Sequence, residues 1–376
     1  MSITLSRPAL RWAVPVAVLA AVIGGGAAAR TLTASADPSL PPRTAAQLLV
    51  DLQTARLDGG SGTIVQQADL GLPALPGLGG QDGKGSTDLL SLASGSHTMR
   101  VWYAGPDRAR VALIGTLGES DVIRDGRDVW TWDSQRNTAN HAVLPAADGA
   151  APHPAVSPTN LPRTPQEAAD AALAAIDPTT KVTASGSARV AGRAAYELVL
   201  VPRDTGSLIG RVTLAIDAER HVPLRVAVYP AGSDSTAFKV EFTQVSFTRP
   251  DAAQFRFTPP PGARVTEQTA TEPAREPSGA ARQPTGAPGQ PTVVGTGWTS
   301  VLVAALPADT AKALSPTGQG DRGGTGFSLA SLPRVSGAWG SGRLLTGRLF
   351  SVLITDDGRL LAGAVRPEQL YAAATR

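Results

Sequence analysis

The chain has 376 residues, of which 42% are hydrophobic, and a formal charge of +3, so it is long enough for two domains with packed cores. Lysine and arginine are nowhere dense enough to indicate a nucleic-acid partner. The complete absence of cysteine excludes disulfides, thiolate metal sites and a lipid-modified N-terminal cysteine.

The N-terminal segment indicates export. Arg7 and Arg11 precede an uncharged run at residues 12–29, which is about long enough to cross a bilayer. The small residues Ala34 and Ala36 then have the spacing of a signal-peptidase site, and cleavage there would leave Asp37 as the first residue. Two alternatives stay open for residues 1–36: a cleaved signal peptide, or an uncleaved membrane anchor with its arginines inside.

The first folded element predicted after this segment is an amphipathic helix. Thr44 and Gln47 form a capping box, and Leu48, Leu52 and Ala55 follow as one apolar stripe. A strand is predicted at residues 61–68. The Gly, Leu and Pro-rich segment 69–84 is too apolar for an ordinary solvated linker, so it is either a loop lying against the body or a lid over a cavity.

A β-hairpin is predicted at residues 121–133. Asp125 and Gly126 form the dipeptide that best tolerates a tight hairpin turn, and they separate two short runs of β-type composition. Trp130 and Trp132 are two residues apart, so a strand places both indoles on one face. That face is either core or the contact surface of an apolar ligand.

Short strands separated by turn residues predict an antiparallel meander at residues 98–144, and the β pattern resumes at residue 181. In this later part, alternation gives one dry face, which includes Leu214, Val226 and Val240, and one wet face with Arg225 and Lys239. A second capping box at Thr164 opens an Ala-rich helix that ends at Ile176. The predicted class is therefore α+β, with one large antiparallel sheet curved around helices. The predicted strands are 98–103, 108–114, 122–123, 129–132, 138–144, 181–190, 193–201, 211–216, 224–229, 238–247 and 255–257.

The chain is predicted to divide into four regions. After the N-terminal segment, residues 37–264 form the main domain. Residues 265–294 are rich in Pro and poor in large apolar residues, so they form a linker. Residues 295–376 form a small β-rich C-terminal extension that ends in a helix from Pro367, and it is small enough that it is expected to pack against the main sheet.

No set of residues predicts an active site. The four histidines, His97, His141, His153 and His221, lie in different elements without metal-ligand spacing. The Gly-x-Gly-x-x-Gly string at residues 318–323 follows no strand and opens no helix, so it does not predict a dinucleotide site. We therefore expect neither enzymatic activity, nor a cofactor, nor a bound metal.

The order of elements resembles the LolA-like family, which comprises outer-membrane lipoprotein carriers and the amino-terminal domain of the envelope-stress regulator RseB. The resemblance covers residues 44–264. It is carried by the helix at Thr44, Val101-Trp-Tyr103, the Asp-Gly-Arg-Asp-Val-Trp-Thr-Trp-Asp hairpin, the helix at Thr164, Val190-Ala-Gly-Arg-Ala-Ala-Tyr196, Val222-Pro-Leu-Arg225 and Phe255-x-Phe-Thr-Pro-Pro-Pro-Gly262. The abundance of Ala, Arg and Gly would fit an actinobacterial member.

The resemblance implies an unclosed β-barrel whose concave face is covered by helices and encloses an apolar cavity for acyl chains. Residues 70–80 and the helix from Pro165 would gate this cavity. By the same analogy it would be lined by dry-face residues, namely Val111, Leu113, Trp130, Trp132, Leu214, Val226, Val240 and Phe242.

Two functional hypotheses follow. The favoured one is a non-enzymatic carrier that binds lipid acyl chains or a lipoprotein at the outer face of the cytoplasmic membrane. The alternative is an RseB-like stress sensor, a regulator of sigma-factor signalling that contacts another membrane protein and has its cavity packed shut. An open cavity favours the carrier, and a concave face filled with large side chains favours the regulator.

Overall fold

The computed structural model describes residues 40–72, 94–115, 118–144, 178–268, 291–306 and 332–376. Most of these residues lie in strands of two sheets, so the described chain is mainly β and not an even mixture of helix and strand. The predicted helix at residues 164–176, most of the 69–84 loop and the N-terminal segment lie outside the described residues. Within these ranges, no helix is long and apolar enough to span a bilayer.

The larger sheet has 12 strands, in the spatial order β12-β6-β5-β4-β3-β2-β1-β11-β10-β9-β8-β7. Two antiparallel meanders, β2–β6 and β7–β11, are joined through β1, which pairs with β2 on one side and β11 on the other. Its strands are β1 Gly60–Asp69, β2 Ser94–Tyr103, β3 Arg108–Ile114, β4 Glu119–Asp125, β5 Asp128–Asp133, β6 Thr138–Val143, β7 Thr180–Val190, β8 Arg193–Pro202, β9 Ile209–Asp217, β10 Pro223–Pro230, β11 Phe238–Ser246 and β12 Arg264–Gln268.

The predicted hairpin is confirmed as β4 and β5. Asp125 pairs with Asp128, and Gly126 has a φ of +65°, the left-handed region that its position in the turn requires. β12 was not predicted, and it pairs with β6 in parallel. The predicted strand at residues 255–257 is wrong, because Asp251 caps a short 3₁₀ helix at Ala252–Phe255 that places Phe255 in the interior.

Helix α1, Ala45–Thr54, confirms the first predicted helix and its capping box. The Thr44 hydroxyl accepts a hydrogen bond from the Gln47 N–H, and the Gln47 side chain accepts one from the Thr44 N–H. Leu48 and Leu49 enter the main core, which comprises Ile64, Met99, Leu113, Tyr196, Leu198, Leu214, Ile216, Val226 and Val240. The helix thus packs against part of the dry face of the sheet, and the expectation that helices cover this face is not confirmed.

The sheet is strongly curved and is not closed into a barrel by its described strands. β3 and β10 are separated by three strands, so a flat sheet would hold them about 19 Å apart. Residues of both strands nevertheless line one cavity. The face that carries α1 is therefore concave where these strands approach one another.

The smaller sheet has six strands, in the order β13-β14-β18-β17-β16-β15, and helix α2, Pro367–Ala374, covers one face of it. Leu370 of this helix lies in a core with Leu353 and Leu361. The strands are β13 Thr292–Val294, β14 Val301–Ala305, β15 Arg334–Gly337, β16 Gly340–Thr346, β17 Ser351–Thr355 and β18 Arg359–Gly363.

The C-terminal extension contacts the main sheet directly. The Trp298 indole N–H donates to the Thr180 hydroxyl at 2.7 Å, and Ser207 forms an isolated β-bridge with Val365. Arg348 forms an ion pair with Asp69 at the end of β1. These contacts agree with the expectation that the extension packs against the larger sheet.

Candidate functional site

A cavity of about 1040 Å³ lies at one end of the curved sheet. It lies where α1 has ended, between the 55–58 segment and the ends of β2, β3, β10 and β11. Its volume is at the upper end of the range usual for small-molecule sites. The main core fills the space beneath α1, and Phe242 both packs against this core and lines the cavity.

The floor of the cavity is apolar. Val101 and Val111 are directly opposite each other on β2 and β3, and Phe242 of β11 approaches them from the far side of β1. The further apolar lining residues are Leu57, Val222, Leu224, Val245 and Phe247. A floor of this kind recognises the hydrocarbon part of a ligand through its area and makes few directional contacts.

Charged side chains also belong to the cavity lining, and several of them neutralise one another. Arg108 donates to the Asp125 carboxylate at 2.7 Å, and Arg110 donates to Asp121, which is buried, at 2.8 Å. Burial, together with repulsion from Asp121, raises the pKa of the neighbouring Glu119 carboxyl. These pairs fix the β3–β4 wall of the cavity.

Two arginines of the lining have no such partner. Arg56 and Arg249 donate hydrogen bonds to backbone carbonyls, and neither forms an ion pair with any carboxylate in the described part of the chain. The cavity lining therefore carries positive charge that no carboxylate of the described residues pairs.

The eight residues predicted to line a cavity are distributed over three environments. Val111 and Phe242 line the cavity. Four others are part of the main core beneath α1, namely Leu113, Leu214, Val226 and Val240. The structure does not bring Trp130 and Trp132 together with these six.

The two indoles lie on the opposite face of the sheet. Trp130 pairs with Ile123, whereas Val111 pairs with Val122, the next residue along β4. Phe257 covers both indoles, with ring centroids 5.4 Å from Trp130 and 5.8 Å from Trp132. This aromatic group holds the segment after the 3₁₀ helix against β5.

His141 lies at the edge of that aromatic group. Its ring stacks on Trp130 at 4.2 Å, and its two nitrogens lie 2.9 Å from Asp128 and 2.8 Å from Glu267. Burial alone would lower the pKa of His141, but the hydrogen bonds to these two carboxylates outweigh it and raise the pKa. The interaction joins β5, β6 and β12 at the sheet edge.

Several lining residues were not singled out from the sequence. Ala55 belongs to the apolar stripe of the predicted helix, but α1 ends at Thr54 and residues 55–58 connect it to β1. Residues 104–107 form the β2–β3 turn and have the signature of an ordinary connection. Arg249 precedes a proline after β11 and has no sequence signal of its own. Among the described residues no group of three or more His, Asp or Glu side chains is arranged to hold a metal ion.

Comparisons with known proteins give matches only among solved structures. No protein-family model matches the chain, and no curated protein matches it significantly. The matching structures include the MucA/MucB complex of Pseudomonas aeruginosa, with 16% identity and a TM-score of 0.41 over 88% of this chain and 96% of that one.

Two further matches cover a smaller part of this chain. A LolA superfamily protein from Nitrosomonas europaea is 10% identical, with a TM-score of 0.21 over 57% of this chain and 99% of that one. A conserved protein from Thermus thermophilus is 14% identical, with a TM-score of 0.32 over 59% of this chain and 98% of that one. The matches thus include both groups that the sequence resembles, the LolA superfamily and MucB (RseB).

Proposed function

We propose that the protein binds the acyl chains of a lipid or of a lipoprotein, without catalysis, in the cavity at the end of the curved sheet. The observation that carries this proposal is the cavity itself, a space of about 1040 Å³ with an apolar floor that includes Val111 and Phe242. Nothing in this floor offers a nucleophile or a general base to a bound hydrocarbon chain.

Binding of a hydrocarbon chain at such a site needs no directional contacts. Each methylene transferred from water to the floor gains about 0.8 kcal/mol, so ten methylenes would gain about 8 kcal/mol before the costs of ordering the ligand. That range gives reversible binding, as a carrier requires. The 55–58 segment crosses the cavity wall between α1 and β1, where a small displacement would widen the entrance.

The same proposal places the protein outside the cytoplasm. The uncharged run at residues 12–29 and the small residues before Asp37 support export, with the folded part at the outer face of the cytoplasmic membrane. In this arrangement residues 37–264 bind the ligand, residues 265–294 form the linker and end in β13, the edge strand of the six-stranded sheet, and the other five strands of that sheet belong to the extension at 295–376.

A regulatory role through protein contacts is the second candidate. It is favoured by one exposed apolar pair, since Val293 and Leu302 are directly opposite each other on β13 and β14 and are 45% and 41% exposed. In this role the extension would contact another membrane protein, and the cavity would be empty or would report its occupancy to that partner.

Binding of a fluorescent fatty acid, dansylaminoundecanoate, to the full-length protein tests the first candidate. We expect saturable binding at about one per chain, with energy transfer from Trp102 in the cavity wall. A folded protein that gives no saturable signal would contradict acyl-chain binding and leave the regulatory role as the better explanation.

A further inference from the structure

We infer that Arg56 and Arg249 bind the phosphate of an anionic phospholipid whose acyl chains occupy the cavity. The inference rests on the proposed function, because it specifies the ligand class of the same site. It adds a headgroup requirement that an apolar floor alone would not impose.

Arg249 is held in place at the junction of two segments of the cavity wall. Its guanidinium donates to the Ala104 carbonyl at 3.1 Å, just before the β2–β3 turn, and to the Asp58 carbonyl at 3.4 Å. Gly59 lies against its aliphatic stem so closely that a Cβ on residue 59 would be 2.8 Å from the Arg249 Cα. The missing side chain at residue 59 therefore lets the two segments meet at this arginine.

Arg56 belongs to the same segment of the wall, immediately after α1. Its guanidinium donates to the carbonyls of Ala55 at 2.9 Å and Gln53 at 3.3 Å, close to the C-terminal end of the helix. Free carbonyls at a helix end carry partial negative charge and attract a cation. These two bonds hold the Arg56 head near the cavity mouth.

Both guanidiniums retain donors for a ligand. An arginine has five N–H donors, and each of these two uses one or two nitrogens on backbone carbonyls. Charge-assisted hydrogen bonds from a guanidinium to phosphate oxygens are among the stronger polar contacts in proteins, and the planar fork fits phosphate.

The charge balance of the lining supports an anionic headgroup. Arg108 and Arg110 are neutralised by carboxylates, and Asp107 of the turn pairs with Arg124 at 3.3 Å. Asp58 is the lining carboxylate without an ion pair to a described residue, so two cations face one anion at the mouth. A phosphodiester with no compensating ammonium fits that excess better than a zwitterionic headgroup does.

The test compares two soluble lipids with identical chains, dioctanoyl phosphatidylglycerol and dioctanoyl phosphatidylcholine, binding to the full-length protein by isothermal titration calorimetry. For the wild type we expect phosphatidylglycerol to bind about tenfold more tightly at low ionic strength, and the difference to shrink as salt is added. Inorganic phosphate alone should give no measurable binding, because it brings no hydrocarbon to the floor.

The double variant Arg56→Gln, Arg249→Gln should lose this preference and retain its affinity for phosphatidylcholine, which also shows that the variant is folded. Arg189→Gln is the matched control, since Arg189 is exposed and donates to the Gly192 carbonyl at 3.1 Å in a turn outside the cavity lining. This control should keep the full preference.

Equal binding of the two lipids by the wild type would overturn the headgroup inference and leave acyl-chain binding intact. A preference that survives in the double variant would also overturn it. Tight binding of inorganic phosphate would indicate a free-anion site in place of a lipid site. If neither lipid binds, the proposed function itself fails.

Discussion

Replacing Val111 by Asp tests whether a ligand occupies the cavity, and Val122, the residue paired with Val111, is the site of a matched control substitution. Val111 and Val122 are paired across β3 and β4 and point to the same face of the sheet. Val111 lines the cavity, whereas Val122 lies outside the lining and is 50% exposed. Both substitutions place the same poor strand former in a strand, so their effects on β-propensity are alike.

The expected difference in ligand binding comes from desolvation. A carboxylate on the floor must lose water when a hydrocarbon chain covers it. Arg108 and Arg110 of the same strand lie on the opposite face of the sheet and are already paired with other carboxylates. The cost of leaving a charge unpaired in such surroundings is several kcal/mol, and even 3 kcal/mol corresponds to a Kd about 150-fold higher. The short side chain of Val122→Asp remains in solvent, so its Kd should equal that of the wild type.

Titration with dansylaminoundecanoate measures both Kd values, and urea unfolding of the two variants checks that each is folded. An unchanged Kd in Val111→Asp would refute the reasoning, because the ligand would then not cover the floor. An equal loss in both variants would also refute it, since the loss would then reflect the sheet and not the cavity.

Three further predictions concern the structure around the site. Trp132→Ala should lower the free energy of unfolding by about 2–3 kcal/mol through lost packing with Phe257, measured by urea unfolding, and leave the ligand Kd unchanged. Burial opposes the charged form of Asp217, but hydrogen bonds from Arg193 and from backbone N–H groups outweigh it and lower its pKa. The stabilisation that Asp217 contributes is therefore present above the unfolded-state pKa of about 3.9 and is lost as pH falls through the folded-state pKa. Asp217→Asn should lower the free energy of unfolding by about 3 kcal/mol at pH 7 and should weaken its dependence on pH in the acid range. The pKa of His141 is raised, so the stabilisation from its carboxylate contacts is present below about pH 6.5 and is lost as pH rises through the folded-state pKa. Hydrogen exchange of the β12 amides should therefore rise more over that pH range in the wild type than in His141→Gln.

Short-range sequence patterns were sufficient to predict most strands of the larger sheet. The Asp125-Gly126 turn determines its own hairpin, and the Thr44 and Gln47 capping box places the start of α1, because each depends on residues within a few positions. Alternation likewise located the strands whose two faces differ in polarity, such as β9 and β10. These features need no knowledge of distant contacts.

Which residues line the cavity depends on the pairing between strands, and the pattern within one strand does not show that pairing. Alternation shows which residues of one strand share a face, but only the register between strands relates that face to its neighbours. Trp130 was therefore grouped with Val111, although pairing through Ile123 and Val122 places them on opposite faces. The parallel pairing of β12 with β6 joins residues more than a hundred positions apart, so it has no local signal.

The misassigned residues 255–257 show a competing local signal. Phe255 and Phe257 alternate as strand residues would, but the Asp251 side chain accepts a hydrogen bond from the Ala253 N–H and starts a 3₁₀ turn. An Asp that follows Pro250 is recognisable as such a cap in the sequence. The turn places Phe255 in the interior, and Phe257 packs against the tryptophans.

Native mass spectrometry, with solvent extraction of what is bound, tests the central claim most directly when the protein is purified from its own host in the form the host produces. The cavity predicts a co-purifying lipid or acylated species at close to one per chain, and Val111→Asp should remove it while Val122→Asp retains it. A folded wild-type protein that is empty, and that stays empty after exposure to host lipids, would contradict acyl-chain binding.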